Sequence, residues 1–145
     1  MRYTTVVDIN VGRDRLIELF DSSENMKKWQ PDLVSYAQMS GEPGQVGAKM
    51  ELVYNMNNKE YKLVETITIK NFPEEFAATY ETDKMWNLVT NQFYVLDDER
   101  TRWESVSEFK CQGFMRIMAF LMPSMFKKQT LKMMNNFKAF AEEAK

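Results

Sequence analysis

The chain has 145 residues, 44% of them apolar and 28% charged, with 19 Lys plus Arg against 21 Asp plus Glu for a net charge of −2. That length reads as one domain spanning residues 1–145, and the overall charge balance recruits neither nucleic acid nor an anionic membrane. There is no histidine and one cysteine, Cys111, which excludes Ser–His and Cys–His nucleophile pairs, imidazole or thiolate zinc sites and an internal disulfide, and leaves acid–base work to carboxylates, Lys or Tyr.

Residues 2–9 alternate weakly and predict a strand, with Tyr3, Thr5, Val7 and Ile9 on one side. Asn10 or Gly12 opens a helix from Arg13 to Phe20, whose apolar stripe is Leu16, Ile17 and Phe20. Ser23 is placed to cap a second short helix that ends near Trp29 before Pro31. Residues 33–40 form a short strand, and residues 41–47 a Gly- and Pro-rich connection.

Four further strands take their register from their turns. Met50, Leu52, Tyr54 and Met56 form one inward set. Across a two-residue turn at Asn57–Asn58, Tyr61, Leu63, Glu65, Ile67 and Ile69 form the next, which sets Met50 opposite Glu65. Phe76, Ala78 and Tyr80 follow, with Tyr80 opposite Glu65. Counting back from the tight turn at 97–100 puts Trp86, Leu88, Thr90, Gln92, Tyr94 and Leu96 inward. On the last strand Trp103, Ser105, Ser107 and Phe109 face in, which pairs Gln92 with Ser105 and Thr90 with Ser107. A slip of one residue would exchange the faces of residues 85–97 and bring Val89, Phe93 and Val95 inside.

Gly113 ends the sheet. One helical segment runs from Phe114 to Met122, and helix continues beyond Pro123 to Ala144. Six of the twelve methionines lie between residues 115 and 134. A rigid core favours Leu and Ile, whereas a deformable ligand-binding wall favours Met. Met118, Met122, Phe126 and Met133 are therefore the expected helix wall of a cavity.

Glu65 is the one charge on its inward face, so it must be paired, protonated or wetted. It reads either as a polar anchor for a ligand hydroxyl or amine, or as a structural hydrogen bond near a rim. Tyr80 is its expected partner. Thr90, Gln92, Ser105 and Ser107 read either as the polar lining of a filled space or as a cross-strand hydrogen-bond cluster. Trp103 is expected in the cavity wall and Trp86 with Met85 at its mouth. Trp29 packs the short helices on the sheet, with no ligand role. Cys111 has no histidine to activate it.

The order of elements is strand, two short helices, six strands, long C-terminal helix. It resembles the helix-grip fold of the START/SRPBCC superfamily, which includes polyketide cyclases and lipid-transfer proteins. Trp29–Gln30–Pro31 looks like that family's W-x-P step. Gly41-x-Pro43-Gly44-x-Val46-Gly47 looks like its glycine–proline connection, and the Glu65 strand ending at Asn71–Phe72–Pro73 is similar to its own. The resemblance implies an α+β domain, a curved seven-stranded antiparallel sheet wrapped around a long C-terminal helix, with two short helices between strands 1 and 2. It also implies an internal cavity for a lipid, polyketide, hormone or other hydrophobic molecule.

The leading expectation is a carrier of a small hydrophobic (lipid-, aromatic- or polyketide-like) ligand, oriented by Glu65, Tyr80, Thr90, Gln92, Trp103 and Ser105, with no cofactor and no metal. The enzyme alternative is a cyclase or dehydratase with Glu65 as acid or base and Tyr80 polarising a carbonyl; the lack of histidine and of a recognisable catalytic cluster weighs against it. A third reading is a protein-interaction module with a collapsed cavity. The lone cysteine and the lack of an apolar leader core fit a cytoplasmic protein. No stretch approaches the ~20 apolar residues of a membrane span, so stable insertion is not expected. The sequence sets no oligomeric state.

Overall fold

Asn57 and Asn58 both adopt left-handed backbone, with φ of 54° and 63°, the geometry of a two-residue hairpin turn whose twist matches that of its strands. It joins β3 (Lys49–Met56) to β4 (Lys59–Asn71) and pairs Met50 with Glu65. β4 then turns into β5 (Glu75–Glu81), which places Tyr80 opposite Glu65. β6 (Met85–Asp97) and β7 (Arg100–Cys111) complete a meander that began with β2 (Leu33–Ser40), and β1 (Arg2–Ile9) joins it on the far side of β7. A computed structural model describes residues 1–145. Its seven strands form one antiparallel sheet in the order β1-β7-β6-β5-β4-β3-β2.

Four helices complete the molecule: α1 (Arg13–Phe20), α2 (Ser23–Trp29), α3 (Phe114–Leu121) and α4 (Pro123–Ala144). The expected order of elements is present throughout. Ser22, not Ser23, caps α2, its hydroxyl accepting from the Asn25 amide. α4 carries Pro at its first position, where the missing N–H costs nothing, and packs chiefly along β1. No helix is long and apolar enough to cross a membrane.

Bulges bend the sheet and reset its faces. One on β4 lies between Ile67 and Ile69, so Ile67 is buried while Ile69 turns outward, against the inward expectation for Ile69. Tyr61, also expected inside, is exposed near the strand's open end. A bulge at Leu96 on β6 shifts the β6–β7 register by one residue. The true pairs are Asn91 with Ser105 and Val89 with Ser107. Asn87, Asn91 and Phe93 are therefore the buried residues of β6, and the inward assignment of Trp86, Leu88, Thr90, Gln92, Tyr94 and Leu96 is corrected.

The packed core centres on Phe20. Its ring meets those of Phe76, Phe93, Trp103 and Phe137 edge-on at 5.2–5.8 Å and lies 6.2 Å from Trp29. Edge-to-face packing suits the aromatic quadrupole, and rings of this size dominate core energetics. Met134, Phe137 and Ala141 bring the second half of α4 into this cluster, fully buried.

Candidate functional site

Side-chain size on the concave face falls along three neighbouring strands. On β7 the inward residues run from Trp103 to Ser105 and Ser107; on β6 they run from Phe93 to Asn91, Val89 and Asn87. On β5, Phe76 gives way to Ala78. Small groups cannot span the distance to the helices, so the packed half of the sheet opens into a cavity of about 340 Å³. Glu65 and Tyr80 form part of the sheet wall, and α4 closes the cavity with Gln129, Thr130, Met133 and Asn136.

Five of the expected site residues line this space: Glu65, Tyr80, Trp103, Ser105 and Met133. Five do not. Thr90 and Gln92 lie on the opposite face, through the bulge at Leu96, and Gln92 is instead engaged by the Tyr94 hydroxyl. Met118 and Met122 belong to α3 and its C-terminal cap, outside the cavity, because the chain breaks direction between α3 and α4. Phe126 packs its ring 5.0 Å from that of Phe109, and its carbonyl accepts from the Tyr3 hydroxyl at 3.1 Å. The methionine wall of α4 thus reduces to Met133, and other methionines reach the cavity from elsewhere: Met26 on α2, Met56 on β3 and Met85 on β6. Trp86 stays outside with Lys110 above its ring at 4.9 Å.

Trp29 packs on the core as expected and also lines the cavity. It stacks on Phe20 and meets Phe137 edge-on at the cavity's inner end, and its indole N–H is buried with no hydrogen-bond partner. Trp103 donates through Nε1 to Asn91 Oδ1 at 2.9 Å, and Asn91 passes its own amide N–H to the Phe76 carbonyl at 3.2 Å. Asn91 is therefore held rigid and largely satisfied. Tyr54 donates to Gln30 Oε1 at 2.6 Å and ties β3 to the α2 exit. Sequence reasoning missed Asn87 and Asn91 through the register slip alone.

Glu65 is half-buried and lines the cavity. Burial raises its carboxyl pKa, and hydrogen bonding to Tyr80 pulls it only part of the way back. The Tyr80 phenol is raised well above its ordinary value, first by burial and then by the Glu65 charge. Tyr54 is raised by the same two causes. The wall thus contains one half-buried carboxyl with a raised pKa near two phenols that keep their protons, while Asp32, the other lining carboxylate, is exposed. Burial also raises the Cys111 thiol. No group of three or more carboxylate or cysteine side chains is placed to hold a metal ion. A second depression, lined by Arg13, Arg15, Asp97, Asp98, Glu99 and Lys145 among others, is an open groove of mostly charged and polar residues, with Val11 and Val95 its apolar members.

No protein-family model and no curated protein matches the sequence. Solved structures match it over nearly its whole length. A START superfamily protein from Mycobacterium smegmatis superposes with a TM-score of 0.81 at 7% identity, covering 99% of both chains. A Streptomyces aromatase/cyclase gives 0.79 at 10% identity over 98% of this chain and 93% of its own. Norcoclaurine synthase from Thalictrum flavum, solved with dopamine and hydroxybenzaldehyde, gives 0.76 at 8% identity over 100% of this chain and 88% of its own. The chain has the helix-grip fold of START/SRPBCC proteins.

Proposed function

We propose that the protein binds a compact hydrophobic molecule in the cavity between sheet and α4, with Glu65 as the polar anchor. The observation that carries this reading is the 340 Å³ space itself, which lies within the ~300–1,000 Å³ range of small-molecule sites. A volume near the low end of that range favours a one- or two-ring or short-chain ligand over a two-chain lipid. Apolar area supplies the affinity, at about 25 cal/mol per Å² before the costs of association. Glu65 accepts from a ligand hydroxyl or amine when ionised and donates to a carbonyl when neutral. The test is native mass spectrometry of protein from its own host, paired with uptake of an environment-sensitive apolar dye. A discrete mass lost on denaturation, or saturable dye binding, is expected. Bare protein that also ignores the dye refutes the reading and leaves the collapsed-cavity interaction module.

The raised carboxyl of Glu65 beside Tyr80 favours one second reading: general acid–base catalysis on the bound molecule. Binding is preferred because burial alone accounts for the shift, and the other charged residues of the lining, Asp32 and Lys132, are exposed to solvent. The Glu65→Gln variant separates the two. Turnover of a candidate substrate that survives this change removes the catalytic role and leaves binding standing.

A further inference from the structure

α3 is apolar on both of its faces. Met115, Met118 and Ala119 lie half-buried on the inner side, toward β7 and α4. At about 100° per residue, Phe114, Ile117, Phe120 and Leu121 fall on the opposite arc, where they are 71%, 54%, 84% and 66% exposed. Met122 and Met125 extend this exposed surface into the first turn of α4. A helix apolar all round is ordinarily buried, and an exposed cluster of large apolar side chains of this kind marks a docking surface.

The charge around the helix identifies what docks. Between Phe109 and Ala141 there are six cationic residues and no Asp or Glu, in a chain whose net charge is −2. Arg116 flanks the exposed arc on α3, and Lys127, Lys128 and Lys132 are exposed along α4. The near-neutral total thus averages a basic C-terminal segment with an acidic remainder. Aromatic and aliphatic side chains with Arg116 beside them and Lys127 and Lys128 on the following turns suit the interface of an anionic bilayer, where the apolar groups enter the headgroup boundary and each Lys or Arg adds attraction. Two copies meeting through this face would bring like charges together without a counter-charge.

We propose that α3 and the first turns of α4 dock the protein peripherally on an anionic lipid surface. Gln129, Thr130 and Met133, on the same stretch of α4, line the cavity, so the docked surface and the cavity wall share one helix. The docking surface does not depend on the ligand reading, since it stands on exposed residues alone.

Flotation with vesicles of phosphatidylcholine alone and of an equimolar mixture with phosphatidylglycerol tests it at low and high salt. The protein is expected to float with the anionic vesicles, at least about tenfold more than with neutral ones, and to be released by salt. Phe120→Ser should weaken binding roughly tenfold, and Lys127→Gln with Lys128→Gln about fivefold per lysine. Each should leave the melting temperature near that of the parent, since these side chains face water; Ile117→Ser serves as the second apolar variant. Absence of flotation, equal binding to both vesicles, or binding indifferent to both apolar variants overturns the proposal. So does a dimer in sedimentation that Phe120→Ser dissolves without any vesicle binding, which makes the face a self-association surface.

Discussion

The concave face of the sheet has two halves built from the same strands. Around Phe20 the strands contribute Phe76, Phe93 and Trp103, and the rings close on Phe137 with centroids 5–6 Å apart. Two to six residues further along, the same strands contribute Ala78, Asn91, Asn87, Ser105 and Ser107, and the face is hollow. Backbone geometry changes little between them, so inward side-chain volume decides whether this face becomes core or container. The packed half fixes the curvature and the position of α4. The hollow half uses that rigidity to hold open a cavity with one half-buried carboxyl in its wall.

The largest expected effect lies in the packed half. Phe137→Ala removes a fully buried ring from the centre of the aromatic cluster and should cost about 3–5 kcal/mol in denaturant unfolding. A loss below about 1 kcal/mol would show that this half is not close-packed, and the comparison would collapse. Ser107→Leu adds volume where the face is open. It should lower dye uptake at least tenfold while stability moves by less than about 1.5 kcal/mol; a loss as large as that of Phe137→Ala would mean that the hollow half is already full.

Glu65 sharpens the contrast through pH. Its native pKa is raised by burial, so the stability tied to this carboxyl is fully present below the ordinary carboxylate range. It is lost as pH rises through the raised native value. Glu65→Gln should flatten that dependence and raise stability at neutral pH by about 1 kcal/mol, read from urea midpoints across pH. An unchanged pH profile would place the carboxyl in bulk solvent. The smallest effect is expected on the convex face, where Arg102 meets Asp8 at 2.8 Å between half-exposed side chains. Their hydrogen bond holds the Asp8 carboxyl below its usual range, yet Asp8→Asn should change stability by less than about 1 kcal/mol.

What could be read from the sequence followed from turns. The Asn57–Asn58 pair dictates its own geometry, and counting outward from it gives Met50 opposite Glu65, as observed; the expected pairing of Tyr80 with Glu65 across the next turn, at 71–74, is also observed. Counting from the turn at 97–100 failed because Leu96 is a bulge, and no residue there announces one. Both faces of β6 carry apolar and polar groups, so alternation could not correct the slip that exchanged Thr90 and Gln92 for Asn91 and Asn87. The helical stretch failed for a different reason. Periodicity locates an apolar face but does not say whether anything covers it, so the methionines of α3 read as cavity wall although the helix stands outside. The actual α4 lining, Gln129, Thr130, Lys132 and Asn136 beside Met133, is mostly polar, and an apolar stripe does not mark it. Trp29 was rightly seen as packing, and packing at the end of a cavity also makes it a wall.

The placement of β1 beside β7 governs how the molecule is made. The Phe109 amide donates to the Met1 carbonyl across 108 positions of sequence, whereas β2 to β6 pair only with neighbours in order. As the chain leaves the ribosome, those five strands can assemble hairpin by hairpin, while β1 waits for the last strand to be translated. Contacts of such separation slow folding, and an incomplete sheet presents its apolar inner face to the surroundings in the meantime. Helix α4 can settle along β1 only after that strand has docked, so the cavity gains its helix wall last.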